Sequence, residues 1–195
     1  VCTTASRITM LPPGSTIGML GGGQLGRMTA LAAARLGYRV HVFAPERDNP
    51  TEQVCAAVTH AAYDDAAALK AFAEACDVVT YEFENVPVIA ADTLATLVPV
   101  RPAPDWLRIA QDRRREKAFI QASRAQVAPH VAIEREADLL PAIPLLPGIL
   151  KTAQSGYDGK GQVRVSSEDD LRKAWRELAC VLSLIHISEP TRLHG

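Results

Sequence analysis

Two short segments of this 195-residue chain carry residue types that could do chemistry. The first is Gly21-Gly22-Gly23-Gln24-Leu25-Gly26, placed between a short apolar run, Ile17 to Leu20, and a helical pattern. Glycines at a strand-to-helix turn let the backbone approach a ligand closely and aim its N–H groups at a phosphate. The second begins at Lys151, which ends the run Ile149-Leu150-Lys151, and continues as Gly156-Tyr157-Asp158-Gly159-Lys160-Gly161-Gln162. A lysine ending a strand supplies a point charge for the α and β phosphates of a nucleotide. The glycine loop after it reads as a lid that folds over the γ-phosphate and excludes water. Two separate phosphate-handling devices point to an enzyme that joins two phosphorylated molecules, an ATP-driven ligase more than a redox enzyme.

Other candidates leave alternatives open. Gly21-x-Gly23-x-x-Gly26 also fits the dinucleotide fingerprint, and Glu46 stands where a ribose-binding acid belongs. A nicotinamide-dependent oxidoreductase is therefore one alternative, weakened by Pro45, which turns the chain just before Glu46. In Tyr81-Glu82-Phe83-Glu84-Asn85 an extended backbone puts Glu82 and Glu84 on one face and Tyr81 and Phe83 on the other. Carboxylates at the C-terminal end of a parallel strand can accept bonds from ribose hydroxyls or hold an amine; equally, they can be a solvated pair. His41, His60 and His130 read as surface or packing residues.

The elements that must position these groups alternate along the chain. After the glycine turn, Leu25, Met28, Ala32 and Leu36 recur at helical spacing, and Gly37 stands as a C-cap. Arg39 to Ala44 alternates as a strand with Val40 and Val42 on one face. Asp64 or Asp65 caps a helix from Ala66 to Cys76. Val78 to Phe83 is a strand, Val88 to Leu97 a helix, and Val100 closes a further strand. Strand and helix in this order imply an α/β domain with a parallel sheet covered on both faces. Beyond Pro102 the pattern changes. Trp106 to Ser123 reads as one or two helices, Val127 to Ile133 as extended, and prolines 141, 144 and 147 break the segment before Lys151. Gln162 to Val165 is a strand, and Ser167 with Asp170 is a capping box for a helix that buries Leu171, Trp175 and Leu178.

Composition bounds the rest. Hydrophobic residues make up 48% of the chain, and 21 basic against 22 acidic side chains leave a formal net charge of −1. So even a balance exerts no long-range pull toward nucleic acid or an anionic membrane. Cys2, Cys55, Cys76 and Cys180 lack the paired spacing of a zinc site or a disulfide framework, which suits a reducing cytoplasm. No apolar run reaches membrane-spanning length.

Four motifs occur in order: Gly-Gly-Gly-Gln-Leu-Gly-Arg-Met (21–28), Tyr-Glu-Phe-Glu-Asn-Val-Pro (81–87), Gln-Asp-Arg with Glu-Lys (111–117), and Leu-Lys followed by Gly-Tyr-Asp-Gly-Lys-Gly-Gln (150–162). Together they closely resemble the N-terminal half of 5-(carboxyamino)imidazole ribonucleotide synthase, the ATP-grasp carboxylase of purine biosynthesis, over about residues 14 to 182. The resemblance implies a Rossmann-like pre-ATP-grasp domain over 14–102, after a loose extension at 1–13, followed by an incomplete ATP-grasp domain over 103–182. It implies ATP-dependent phosphorylation of bicarbonate to carboxyphosphate, which carboxylates the amine of 5-aminoimidazole ribonucleotide. Arg113, Lys151 and the loop Gly156, Tyr157, Asp158, Gly159, Lys160, Gly161 and Gln162 would then contact ATP, with Tyr157, Asp158 and Lys160 in catalytic positions. Gly23, Gln24, Leu25, Glu82 and Glu84 would hold the ribonucleotide, its phosphate on the glycine turn. The rest of the run Arg113-Arg114-Arg115 reads as a solvated helix face. A homodimer is the family's expected assembly.

The chain departs from the family after Leu182. Ser183 to Gly195 resembles no part of it and reads as a foreign tail on a truncated gene. The carboxylates expected to hold Mg²⁺ would lie in the part thereby missing, so the chain alone is expected to be inactive. A non-catalytic phosphoribosyl-binding fragment is the second alternative.

Overall fold

The computed structural model describes residues 10–154 and 161–178, together with the backbone of 183–186. The chain divides into two compact units, one up to Leu107 and one from Arg108 onward.

Unit 1 runs β1 (Thr16–Leu20), α1 (Gln24–Arg35), β2 (Arg39–Phe43), β3 (Ala57–Thr59), α2 (Ala66–Glu74), β4 (Val78–Tyr81) and α3 (Val88–Ala95). Its four strands form one parallel sheet in the order β3-β2-β1-β4. Val40 and Val42 share one face of β2 as expected, but the other face is no less covered: Val40, Val42 and Phe43 are all buried. A parallel sheet is covered on both faces, so both sides of its inner strands are apolar. Val40 and Val42 pack with Met19, Ala30 and Ala33, whereas Phe43 packs with Leu69 and Phe72.

Helix α1 reverses its expected orientation. Its buried residues are Gly26, Ala30 and Ala33, while Leu25, Met28 and Leu36 are exposed. Small side chains on the inner face let the helix sit close to the sheet, which leaves the large ones outside. The helix ends as expected at Gly37, with φ of 82° and its N–H bonded to the Ala34 carbonyl at 3.0 Å. Asp65 caps α2 by accepting from Ala67 and Ala68 N–H at 3.1 and 2.9 Å. Val100 makes only an isolated bridge to Val79, not a strand. Pro99 and Pro102 beside it remove the donors a ladder needs.

Unit 2 contains the end of α4 (Pro104–Ala110), α5 (Arg113–Ala122), β5 (His130–Ile133), β6 (Gly148–Thr152), β7 (Gln162–Val165), α6 (Glu168–Leu178) and β8 (Ser183–His186). Its sheet is antiparallel, in the order β5-β8-β6-β7. Strand β8 comes from the segment read as foreign, yet its backbone pairs with both β5 and β6. Pro141 and Pro144 do not break the chain; they sit inside a run of 3₁₀ turns over Glu136–Leu145. At three residues per turn, Leu139 and Ala142 share one side, and both are buried. The expected capping box is present: Asp170 N–H donates to Ser167 Oγ and Ser167 N–H to Asp170 Oδ2, both at 3.1 Å. Leu171 is buried beside Leu150 and Val165, with Trp175 and Leu178 packed against them.

Gly18 in the middle of β1 shows how tight the sheet-to-helix layer is. An added Cβ would meet Cys76 Sγ and Phe72 Cζ at 2.8 Å and Val79 Cγ2 at 2.9 Å. Gly18→Ala is expected to lower stability by about 1–3 kcal/mol in urea unfolding; an unchanged midpoint would show that the layer has room.

Candidate functional site

In unit 1 a cleft of about 380 Å³ opens beside the glycine turn, lined by Gly21, Gly22 and Gly23 with Glu46, Arg47, Asn49, Pro50, Glu82 and Phe83. It lies at the C-terminal ends of β1, β2 and β4, where open α/β sheets bind ligands. The loop after β2 forms one wall, and internal bonds hold it. Asn49 is buried; it donates to the Glu46 carbonyl at 3.1 Å and accepts from Glu52 N–H at 3.0 Å. Thr51 fastens this loop to the turn: its N–H donates to Gly22 O at 3.0 Å and its hydroxyl to Gly23 O at 2.9 Å.

The turn's own donors meet an internal anion. The Glu82 carboxylate accepts from the backbone N–H of Gly23 through one oxygen and from that of Gly26, at 2.5 Å, through the other. A helix start offers unpaired N–H groups and a partial positive charge, and a carboxylate satisfies both as a phosphate would. The same carboxylate crowds two of the glycines: a Cβ at Gly23 would meet Glu82 Oε1 at 2.6 Å, and one at Gly26 would meet Thr51 Oγ1 at 2.5 Å and Glu82 Oε2 at 2.8 Å. Among the described residues, no partner is found for the N–H groups of Gln24 and Leu25.

Glu82 and Glu84 do not share a face. Strand β4 ends at Tyr81, Glu82 N–H makes a last bond to Leu20 O at 3.1 Å, and the backbone then bends. With the alternation broken, Phe83 joins Glu82 in lining the cleft, while Glu84 is exposed and lines no part of it. Gln24 and Leu25 open α1 as exposed residues beside the cleft. Glu46 does line it, in the company of Arg47. The histidines serve packing and local bonds. His41 is buried edge-on against Phe72 and bonded to Thr59 Oγ1 at 2.9 Å, and burial lowers its pKa. His60 pairs with Glu52 at 3.2 Å.

In unit 2, Arg113, Lys151 and Gln162 are brought together. Lys151 and Gln162 face each other across β6 and β7, so their side chains lie on one side of the sheet. The start of α5 docks on the end of β6: Arg113 N–H donates to Ala153 O at 2.9 Å, and its Nε to Thr152 O at 3.2 Å. Lys151 is half-buried, and its pKa is lowered first by that burial, then by Arg113 and Lys117, with Glu116 opposing. Gly161 closes the hairpin, its carbonyl accepting from Thr152 N–H at 2.8 Å. Gly156, Tyr157, Asp158, Gly159 and Lys160 lie outside the described residues.

Arg114 is not part of a solvated face. It makes a two-pronged ion pair with Asp112, at 2.6 Å through Nη2 and 3.0 Å through Nε, and reaches Glu134 Oε1 at 2.8 Å. Asp112 is buried and caps α5 by accepting from Arg114 N–H at 2.9 Å. The sequence reading missed Asp112, Asn49 and Thr51 as positioning residues. For Asp112 the usable signal was a polar residue directly before a helix; Asn49 and Thr51 lie well inside the loop after β2 and carried no such local signal. Among the described residues no group of three or more His, Cys, Asp and Glu is placed to hold a metal ion, and no helix is long and apolar enough to cross a membrane.

The hydrogen bonds and charge of Arg114 hold Asp112 at about 2, below the ordinary carboxylate range. A depressed folded-state pKa contributes stability above the ordinary value and loses it as pH falls through the folded value. Asp112→Asn is therefore expected to cost about 2 kcal/mol near neutral pH. The difference from wild type should shrink below about pH 4 and vanish near pH 2. Chemical denaturation across that range checks it, and a pH-independent difference would contradict it.

Comparison with known proteins agrees with this geometry. Residues 14–111 match the ribonucleotide synthetase preATP-grasp domain, and residues 118–186 the ATP-grasp domain. The N5-carboxyaminoimidazole ribonucleotide synthase of Brucella melitensis is 52% identical over 164 residues, 83% of this chain and 45% of that protein. A crystal structure of an N5-carboxyaminoimidazole ribonucleotide synthetase in complex with ADP superposes with a TM-score of 0.88 at 37% identity, covering 95% of this chain and 50% of that one. The Aspergillus clavatus enzyme, solved with ADP and 5-aminoimidazole ribonucleotide, gives a TM-score of 0.79 at 27% identity over 92% of this chain and 48% of that one. The chain spans about half the length of each of these proteins. A parallel sheet with a ligand cleft at its glycine turn, followed by a cation-bearing antiparallel sheet, fits these matches, and the chain belongs to the ribonucleotide synthetase preATP-grasp family.

Proposed function

We propose that the chain carries the nucleotide-handling part of an ATP- and bicarbonate-dependent carboxylase. That enzyme converts 5-aminoimidazole ribonucleotide to 5-(carboxyamino)imidazole ribonucleotide in cytoplasmic purine biosynthesis. The observation that carries this reading is the strand end in unit 2. Arg113 and Lys151 are held there beside Gln162, with Lys151 partly desolvated among like charges. Phosphoryl transfer asks a protein for fixed positive charge and positioning more than for covalent chemistry. A bicarbonate oxygen attacks the γ-phosphorus and ADP leaves. The amine of the ribonucleotide then attacks the carboxyl carbon of carboxyphosphate and inorganic phosphate leaves. Arg113, Lys151 and Gln162 would hold the phosphates of ATP, joined by Gly156, Gly159 and Gly161. Tyr157, Asp158 and Lys160 would orient the reacting groups. Mg²⁺ supplies charge neutralisation on the triphosphate when bound.

In unit 1 the reading assigns the ribonucleotide to the cleft. With Gly23 and Gly26 N–H committed to Glu82, the donors left for its phosphate are the N–H groups of Gln24 and Leu25. Glu82 then lies on the side of the ribose and imidazole, and Glu84, outside the cleft lining, would reach the ribonucleotide only from the exposed side. The same carboxylate argues against a dinucleotide, whose pyrophosphate would have to take its place on the turn. A domain boundary near Pro102 and a homodimeric assembly belong to the same proposal.

Calorimetric titration of the full chain tests it. Saturable binding of 5-aminoimidazole ribonucleotide and of ATP is expected, with no heat from NADH. Binding of NADH without binding of the ribonucleotide would overturn the reading.

A further inference from the structure

Lys117 lies on the cation-bearing side of α5 and has no role in the reading so far. The two hydrogen bonds from Arg113 to Ala153 O and Thr152 O fix the first turn of α5 against the end of β6. Residues four apart on a helix share a face, with Cβ atoms about 5–6 Å apart. Lys117 therefore extends, by one turn, the face that presents Arg113 to β6. Its charge is felt at Lys151, after burial and Arg113, and only Glu116 opposes it. Among the described residues neither Lys117 nor Lys151 forms an ion pair with a carboxylate. By contrast Arg114, the neighbouring cation, is fully answered by Asp112 and Glu134.

Positive groups gathered this way repel one another in the free protein, and a polyanion that reaches them relieves that repulsion. Lysine suits such a place: its flexible stem carries a compact charge with three donors that can follow a phosphate chain. We infer that Lys117 is a third polyphosphate-binding cation of unit 2, acting with Arg113 and Lys151 on the phosphate chain of a nucleoside triphosphate. The inference rests on the reading of unit 2 as the nucleotide-binding unit and adds a residue that this reading did not contain.

The test compares wild type, Lys117→Gln and Lys117→Arg as full chains, titrated with ATP and with inorganic tripolyphosphate. Lys117→Gln is expected to lose roughly five- to tenfold in affinity for both, the scale of one charge-assisted contact, and Lys117→Arg to recover most of it. Two further readouts separate binding from a structural role. Without ligand, Lys117→Gln should melt no lower than wild type, because a repulsive neighbour is gone. In the same variant Lys151 should titrate at higher pH by NMR. Equal affinities in wild type and Lys117→Gln would overturn the inference alone, as would a loss of affinity matched by a lower melting temperature in both variants. Failure of wild type to bind either ligand would overturn the nucleotide reading of unit 2 together with it.

Discussion

The glycine turn of unit 1 depends on one carboxylate. Glu82 leaves β4 where the strand ends and returns its side chain to the N–H groups of Gly23 and Gly26 at the start of α1. That contact ties the outer strand β4 to the turn after the central strand β1, so the floor of the cleft is set by backbone as well as by side chains. It also bears on sequence: as placed, the carboxylate crowds a Cβ at Gly23, and together with Thr51 Oγ1, at 2.5 Å, it crowds one at Gly26. The turn therefore owes its glycines to an internal anion at least as much as to any bound phosphate. What it offers a ligand is the remainder, the first-turn amides of Gln24 and Leu25 and the wall built by Asn49 and Thr51.

Unit 2 follows a complementary plan, in which one ion pair is consumed by structure at the start of the helix that carries Arg113 and Lys117. Asp112 caps α5, is buried, and is neutralised by Arg114. Burial of an unpaired carboxylate would be costly, and the two-pronged arginine removes that cost. With α5 anchored by this pair, Arg113 on one side and Lys117 a turn later can face β6. The three consecutive arginines are thus not equivalent, and their difference comes from the cap, not from local charge density.

Much of this was legible in the sequence, and the limits are instructive. The order of elements in unit 1 followed from the glycine turn, the Asp65 cap and the Gly37 stop, all signals read within a few residues. The burial of α1 did not, because Gly26, Ala30 and Ala33 carry little hydrophobic weight although their smallness is what brings the helix onto the sheet. The prolines at 141 and 144 misled for a related reason: a three-residue period accommodates what an α-helix would not. The role of Glu82 was only half visible. Its place at a strand end marked it as a site residue, but its partner Gly23 is 59 positions away, and the end of β4 at Tyr81 decides where the side chain turns. Lys117 was hidden inside a charge run whose members differ only by what they face.

The most direct measurement is amide hydrogen exchange, by NMR, on the full chain and on Glu82→Ala. Slow exchange at both Gly23 and Gly26 is expected in wild type. Both should speed up together in the variant, while Arg27, whose N–H bonds to Gly23 O at 3.1 Å, stays protected. Unchanged protection at Gly23 and Gly26 in Glu82→Ala would contradict the placement of that carboxylate on the turn, and with it the organisation of the cleft.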